Sequence, residues 1–435
     1  MVDTTSDAAA TQRQSPTLAE ATKVWARIGL LSFGGPAAQI ALMHREVVDE
    51  RGWLTEQQYL NALSFCMFLP GPEAMQLATF AGWRLHGLAG GLIAGLLFVL
   101  PGAAVVLALA AVYGMLGDVP LVDALFLGVK AAVVLIVVEA LLRVARRALD
   151  GPAHWTVAGL AFIAIFFLAL PFPLIIGLAA AYGFLFDAGR ATGDATVPIP
   201  AGLGGQTART ILVWLTIWWL PLGMIIYFGA GTTLPEIGVF FSKLAVVTFG
   251  GAYALLAYMA QDVVNQFGWL SAGEMMDGLG LAETTPGPLI LVTEFVGFLA
   301  AFREGGLAYG LLGAMVALWV TFVPCFLWIF AGAPYIDWIS AQPRLKGALA
   351  AISAAVVGVI LNLTIWFALH VFFSKVNHQT YGIVHLWQPD PSSLDWRIVL
   401  LAAVCGVLMF RWHWNISRVL AVSALGAAAL VYGAG

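Results

Sequence analysis

Charge is what this sequence has least of. Of its 435 residues only 10% are Asp, Glu, Lys or Arg, against roughly 25% in a typical soluble domain. A further 61% are apolar and the mean hydropathy is +0.91. A water-soluble core of this length cannot bury so much apolar surface, so the expected solvent is the lipid bilayer. The net charge of −4 comes without any basic cluster of the kind that binds nucleic acid. Phosphate-loop and dinucleotide fingerprints are absent too, which argues against an ATP-driven machine. Cysteine is scarce: Cys66, Cys325 and Cys405 each sit in an apolar run with no CxxC or Cys/His spacing and read as small buried hydrophobes. Neither a disulfide, a metal nor a cofactor is expected. The seven histidines are scattered and no nucleophile set converges, so an enzyme is not expected either. Residues 1–20 contain no apolar stretch, which excludes a cleaved signal peptide and reads as a disordered tail.

What is present is a series of apolar stretches. Long ones run over Leu88–Tyr113, Leu121–Leu142, Ile211–Ala230, Leu307–Ala331 and Leu345–His370; shorter ones cover Trp155–Leu170, Pro173–Phe186, Trp396–Phe410 and Ile416–Tyr432. Four others are interrupted, at Phe33-Gly34-Gly35-Pro36, Pro70-Gly71-Pro72, Phe249-Gly250-Gly251 and Pro286-Gly287-Pro288. A shift of 216 positions carries the first Phe-Gly-Gly onto the second, Gly52-Trp53-Leu54 onto Gly268-Trp269-Leu270, and one Pro-Gly-Pro onto the other. Beyond that the shift is 215, matching Gly82 to Gly297 and Gly90-Gly91 to Gly305-Gly306, and then 223, matching Pro101 to Pro324. This is an internal duplication. The expected organisation is a tail (1–20), an N-terminal repeat (21–186), a Gly/Ala/Thr/Pro-rich linker (187–209) and a C-terminal repeat with extra spans (210–435).

Basic residues indicate orientation. Arg143, Arg146 and Arg147 follow the fourth apolar stretch of the first half, whereas Arg344 and Lys346 precede its counterpart. Arg45 and Arg51 lie between the first Gly-Gly and Pro-Gly-Pro, and the equivalent segment 261–267 has no Lys or Arg. By the positive-inside rule the halves are inverted relative to one another, a pattern of transporters with broken helices. Re-entrant turns at the breaks would put the N-terminus, the Arg45/Arg51 loop and the Arg143–Arg147 cluster together in the cytoplasm. The fold class expected is therefore an all-α polytopic membrane protein, an inverted-topology repeat with helices broken at Gly-Gly and Pro-Gly-Pro.

Broken helices leave backbone groups that only protein or a wet cavity can satisfy at membrane depth, so the candidate site lies at the breaks. Gly34, Gly35, Gly71, Gly250, Gly251 and Gly287 form its backbone, and the half-helix after each Pro-Gly-Pro offers a positive end suited to an anion; a plain kink is the alternative. The same shift pairs Arg27 with Lys243 and Ser32 with Thr248. The two cations are either ligands or snorkel to the interface. Lys130, in mid-span, is a substrate counter-charge or the partner of a carboxylate on another helix. Glu73 and Glu283 flank the Pro-Gly-Pro turns, to relay protons or cap half-helices. Gln76 could donate to an oxyanion, and Thr285 adjoins the second turn. His44, beside Arg45, reads as a solvated interfacial residue.

The runs Phe33-Gly34-Gly35-Pro36-Ala37-Ala38-Gln39-Ile40, Phe65-Cys66-Met67-Phe68-Leu69-Pro70-Gly71-Pro72-Glu73-Ala74 and Phe98-Val99-Leu100-Pro101-Gly102 resemble those of the chromate ion transporter family, in its long-chain, two-domain form. So do Thr248-Phe249-Gly250-Gly251-Ala252-Tyr253 and Ala282-Glu283-Thr284-Thr285-Pro286-Gly287-Pro288. The resemblance covers roughly 24–149 and 240–369. It implies a secondary active transporter that exports chromate across the bacterial inner membrane on the electrochemical gradient, with sulfate competing for the site. Many members carry His where Gln39 stands, so no proton-carrying role is given to that position. A carrier or channel for sulfate or another anion shares every physical feature named above and stays open. The expected partners are the oxyanion and the lipid bilayer, with no nucleic acid; nothing in the sequence decides for or against a homodimer.

Overall fold

The computed structural model describes residues 16–116, 119–187, 202–228, 231–249 and 252–433. Gly250 and Gly251, most of the expected 187–209 linker and most of the 1–20 tail lie outside the described residues. Among the described residues five helices are long and apolar enough to cross a membrane, at Glu73–Leu116, Pro120–Ala148, Gly204–Tyr227, Leu289–Ile339 and Pro343–Phe372. The protein is thus a helical membrane protein.

Each half opens with short helices set off by capping signals. Helix α1 (Leu18–Leu31) starts at a Thr17/Glu20 capping box, in which side chains satisfy the first free backbone donors. Helices α2 (Gly35–His44) and α3 (Glu56–Phe68) follow, then α4 (Glu73–Leu116). In the second half the sequence recurs as α9 (Thr233–Val247), α10 (Ala252–Gln261), α11 (Ala272–Thr284) and α12 (Val292–Gly332). Matching capping boxes, Thr55/Gln58 and Ser271/Glu274, start α3 and α11. A π-turn follows α2 at Arg45–Asp49 and α10 at Asp262–Gln266.

The breaks turn the chain back on itself. Arg27 Nε lies 3.6 Å from Glu46 Oε1, and the Phe65 and Phe80 rings are 6.0 Å apart. An unbroken helix would separate either pair by about 20 Å or more. Two further folds lie inside the longest helices: α4 has non-helical backbone at His86-Gly87 and α12 at Gly305-Gly306. Gly82 then packs on Gly90, and Gly297 on Gly313, so closely that a Cβ on any of them would overlap the facing carbonyl. Small residues at such crossings let helix backbones touch, which is how helices adhere where no hydrophobic effect separates them from lipid.

This geometry corrects one sequence match. Gly90 is the partner of Gly313, and the turn at Gly87 that of the turn at Gly306 (φ +61° and +68°), not Gly90-Gly91 of Gly305-Gly306. The eight extra positions in the second half add about one helical turn to each arm, which preserves the phase of both.

Helix α5 (Pro120–Ala148) then crosses among elements of the second half. The chain continues through α6 (Pro152–Phe166) and α7 (Phe172–Tyr182), two short helices joined at Phe167–Pro171, and α8 (Gly204–Tyr227), the extra span. After α12 come α13 (Ile336–Ala341) and α14 (Pro343–Phe372), and finally α15 (Trp396–Gly406) and α16 (Ile416–Gly433). The most apolar windows of α12 and α14 are 72% buried, against 11% for α8, so the core is centred on the second half and α8 is peripheral.

One element departs from the all-helical expectation. Strands β1 (Val376–Tyr381) and β2 (Val384–Pro389) pair antiparallel, with Tyr381 opposite Val384. Their polar, β-branched and aromatic residues suit a partly wet hairpin rather than a span, and Gly382 supplies the positive φ of the turn. His385 N–H donates to Phe167 O at 2.7 Å, seating the hairpin on the α6–α7 turn.

Close approach has a measurable consequence at Gly29, where an added Cβ would overlap the Leu97 carbonyl of α4. Gly29→Ala is expected to destabilise the fold by about 1–3 kcal/mol through forced separation of α1 and α4, read as a lowered unfolding midpoint in detergent.

Candidate functional site

The breaks of the two halves meet, and they do so by exchange. Gly71 N–H, in the first Pro-Gly-Pro, donates to Thr248 O at 2.9 Å; Gly287 N–H, in the second, donates to Ser32 O at 2.8 Å. Each break in the α3–α4 or α11–α12 connection thus closes an end of α9 or α1 in the other half. Backbone groups that a broken helix leaves unpaired are satisfied across the repeat boundary.

Side chains reinforce the exchange. Gln39 Nε2 donates to Gly287 O at 2.6 Å and to Ser32 O at 3.3 Å, binding both halves at once. Gln76 Nε2 donates to Pro70 O at 2.7 Å. The Oε1 atoms of both glutamines are buried without a donor. Helix α4 returns past the second break at Gly102, where a Cβ would overlap Pro286 O, and α12 returns past the first at Cys325, whose Sγ would stand 3.1 Å from a Cβ on Gly71. All three cysteines are free and buried.

The hydroxyls of Ser32 and Thr248 donate to Ile28 O and Leu244 O of their own helices, and Thr285 Oγ1 donates to Ala282 O at 3.2 Å. Gly34 (φ +84°) and Gly35 (φ +77°) make the turn into α2, in the left-handed region that glycine enters without a Cβ clash. Glu73 is the first residue of α4 and lies within electrostatic reach of Arg147. Glu283 accepts from Tyr253 Oη at 2.6 Å, with Arg143 as the nearby cation. Arg143 pairs with Glu139 one turn earlier, and Arg147 Nη2 lies 3.2 Å from Met67 Sδ. The last turns of α5 therefore bring one arginine towards each break.

Of the remaining candidate cations, Arg27 and Lys130 are already ion-paired. Arg27 meets Glu46, which is fully buried and also held by Arg51 Nη1; Lys243 acts on Asp262. The 216-position shift carries Glu46-Val47-Val48 onto Asp262-Val263-Val264, a signal that would have exposed both acids in advance. Lys130 Nζ is 3.4 Å from Asp277 Oδ2 of α11, whose same oxygen accepts from Tyr113 Oη at 2.8 Å. Of the two alternatives for Lys130, a carboxylate on another helix is what it meets. His44 bonds Glu56 at 2.6 Å and Asp49 at 3.2 Å. Burial alone would lower its pKa, but the two carboxylates outweigh this and hold it above the ordinary imidazole value.

Sequence reasoning gave no site role to Tyr253, Gly102 or Cys325, although the first two stand in motifs it quoted and Cys325 follows the matched Pro324; it passed over Asp277 altogether, and also Glu294, which is fully buried with neither carboxylate oxygen hydrogen-bonded. Among the described residues no group of three His, Cys, Asp or Glu side chains could hold a metal ion.

No solved structure matches the chain. It is 30% identical over 402 residues to the chromate transport protein of Pseudomonas aeruginosa, covering 88% of this chain and 90% of that one. To the chromate transport protein of Cupriavidus metallidurans it is 29% identical over 371 residues, covering 83% and 86%. A probable chromate transport protein of Synechococcus elongatus is 27% identical over 400 residues, covering 90% and 96%. The chromate transporter family model matches residues 19–184 and 235–432, most of each half, and the chain therefore belongs to the chromate transporter family.

Proposed function

We propose that this protein is a secondary active transporter that moves chromate out across a bacterial inner membrane, with its N-terminus in the cytoplasm. The observation that carries the reading is the reciprocal bonding of Gly71 to Thr248 and of Gly287 to Ser32. Few polar links join the halves at the breaks, these two backbone bonds and the Gln39 bridge to Gly287 and Ser32, so a small relative movement can open and close a path there without disturbing the packed hairpins. The positive ends of α4 and of the half-helix from Val292 start at these same breaks and favour an anion. The fold-back of α1 on α2 and of α3 on α4 supports re-entrant hairpins, and with them the inverted arrangement of the halves.

In this reading Gly34, Gly35, Gly71, Gln76, Thr285 and Gly287 line the passage of the anion, and the carbonyls of Ser32 and Thr248 close it by accepting from Gly287 and Gly71. Glu73 and Glu283, each facing an arginine of α5, adjust the charge beside it. Arg27, Lys243 and Lys130 hold the hairpins and α5 in register through their carboxylate partners. Membrane potential suffices as a driving force: a dianion leaving a negative-inside cell gains about 2 × 2.3 kcal/mol per 100 mV, over a thousandfold in concentration.

The test is chromate flux into everted vesicles or proteoliposomes under an imposed potential, with sulfate as competitor. Saturable, potential-driven accumulation that sulfate inhibits is the expected result. Movement of sulfate without chromate would keep the architecture and overturn the substrate; unsaturable flux would make the protein a channel.

A further inference from the structure

Glu294 is anomalous in a protein that pairs its buried charges. It is fully enclosed, and neither carboxylate oxygen has a hydrogen-bond donor. Helix α12 packs against α4, α8, α9 and α11. The ionisable residues there are Glu73, Arg84, His86, Tyr113, Arg209, Tyr227, Glu236, Lys243, Glu274, Asp277 and Glu283, with Arg303, Glu304 and Tyr309 on α12 itself, and none of them hydrogen-bonds Glu294.

The fold does not require a carboxyl at this place. Counting back from the matched pairs Phe80/Phe295 and Gly82/Gly297, Glu294 stands where the first half has Thr79. Thr79 is equally buried, but its hydroxyl donates to Met75 O of its own helix at 2.9 Å. The same half-helix is thus built once with a satisfied side chain and once with an unsatisfied acid. Glu294 also lies less than two turns beyond Gly287, whose N–H and carbonyl both bond the first half. Movement at that contact shifts the start of α12 directly. The positive start of α12 offsets only part of the cost of enclosing a carboxylate without a hydrogen-bond donor, so the side chain is a neutral carboxylic acid while enclosed.

We propose that Glu294 is the proton-carrying site of the transport cycle, holding its proton while the halves are closed and exchanging it with water when they part at Gly287. The proton passes from the carboxylic acid to water on one side of the membrane and is regained from water on the other, with no other reactant needed. This rests on the transport reading above and assigns the proton to a residue outside the Gly-Gly and Pro-Gly-Pro motifs.

The experiment uses the full chain in proteoliposomes and two drives applied separately: a membrane potential at equal pH, and a pH gradient with the potential clamped at zero. A gradient of about two pH units supplies roughly a hundredfold driving force per proton. Wild type is expected to move chromate under both drives. Glu294→Gln, which cannot carry a proton, and Glu294→Thr, the side chain of the first half, are expected to lose about tenfold or more of the gradient-driven flux. Both should keep the wild-type unfolding midpoint in detergent, which separates lost coupling from lost folding. Gradient-driven flux retained in both variants, or absent from a wild type that responds to potential, would overturn the proposal. If neither drive moves chromate or sulfate in wild type, it is the transport reading that fails.

Discussion

Gly71→Val and Gly287→Val are each expected to reduce chromate flux to background while the protein stays in the membrane. Both positions have positive φ, +116° and +92°, where a β-branched residue is strained. A Cβ on Gly71 would stand 3.0 Å from Gln76 Nε2 and 3.1 Å from Cys325 Sγ; on Gly287 it would stand 2.9 Å from Leu291 Cδ1 and 3.3 Å from Gly102 Cα. The added methyl groups would force the Pro-Gly-Pro turn away from the carbonyl it bonds in the other half. The hairpins themselves are fastened elsewhere, by Gly82/Gly90 and Gly297/Gly313, so insertion should survive. Gly177→Val on α7, where an added Cβ meets open space, serves as the control and should transport normally. Wild-type flux in both Pro-Gly-Pro variants would show that the crossing is only a packing joint.

Lys130→Ala is expected to cost about 3–5 kcal/mol of stability, because it leaves the carboxylate of Asp277 buried and without its cation. The Asp277 side chain is 3% exposed and bonds only Tyr113 besides Lys130 among the described residues. The double variant Lys130→Ala/Asp277→Asn removes the stranded charge and should recover most of the loss. Unfolding midpoints in detergent, measured beside flux, separate two roles. If the double variant regains stability and transport together, Lys130 joins α5 to α11. If it regains stability and stays inactive, Lys130 acts on the anion.

Much of this arrangement was legible in order along the chain. Three of the four broken segments and the five long apolar stretches appear as breaks or helices near the expected places, because each depends on local composition, and the duplication shows in the paired capping boxes and π-turns; the fourth break, at Gly250-Gly251, lies outside the described residues. Pro-Gly-Pro cannot continue a helix, and twenty apolar residues have no other stable state in lipid. The pairing of Gly90 was misread because sequence matching follows identity, whereas the packed hairpin follows helical phase: a glycine eight positions displaced restores the same face contact. The β-hairpin was missed because its alternation is short and its residues are also common in interfacial loops.

Charge partners were less accessible. Arg27 and Lys130 look alike in the sequence, each a cation in an apolar run, and the acids that hold them come from the far side of a turn and from the other half. Glu294 gave no signal at all, since a single acid at the start of an apolar helix reads as an ordinary first-turn residue.

The sequence alone determined the solvent, the helical class, the duplication and where the helices must break, for these follow from apolar content and from residues that cannot propagate a helix. Only the tertiary structure decided that the Pro-Gly-Pro breaks of one half are closed by the other, that Lys130 and Arg27 already have carboxylate partners, and that the buried Glu294 has no hydrogen-bond partner. Those outcomes depend on which backbone and side-chain groups come within about 3 Å of each other, the range in which hydrogen bonds and ion pairs act, and no spacing along a single chain encodes that distance.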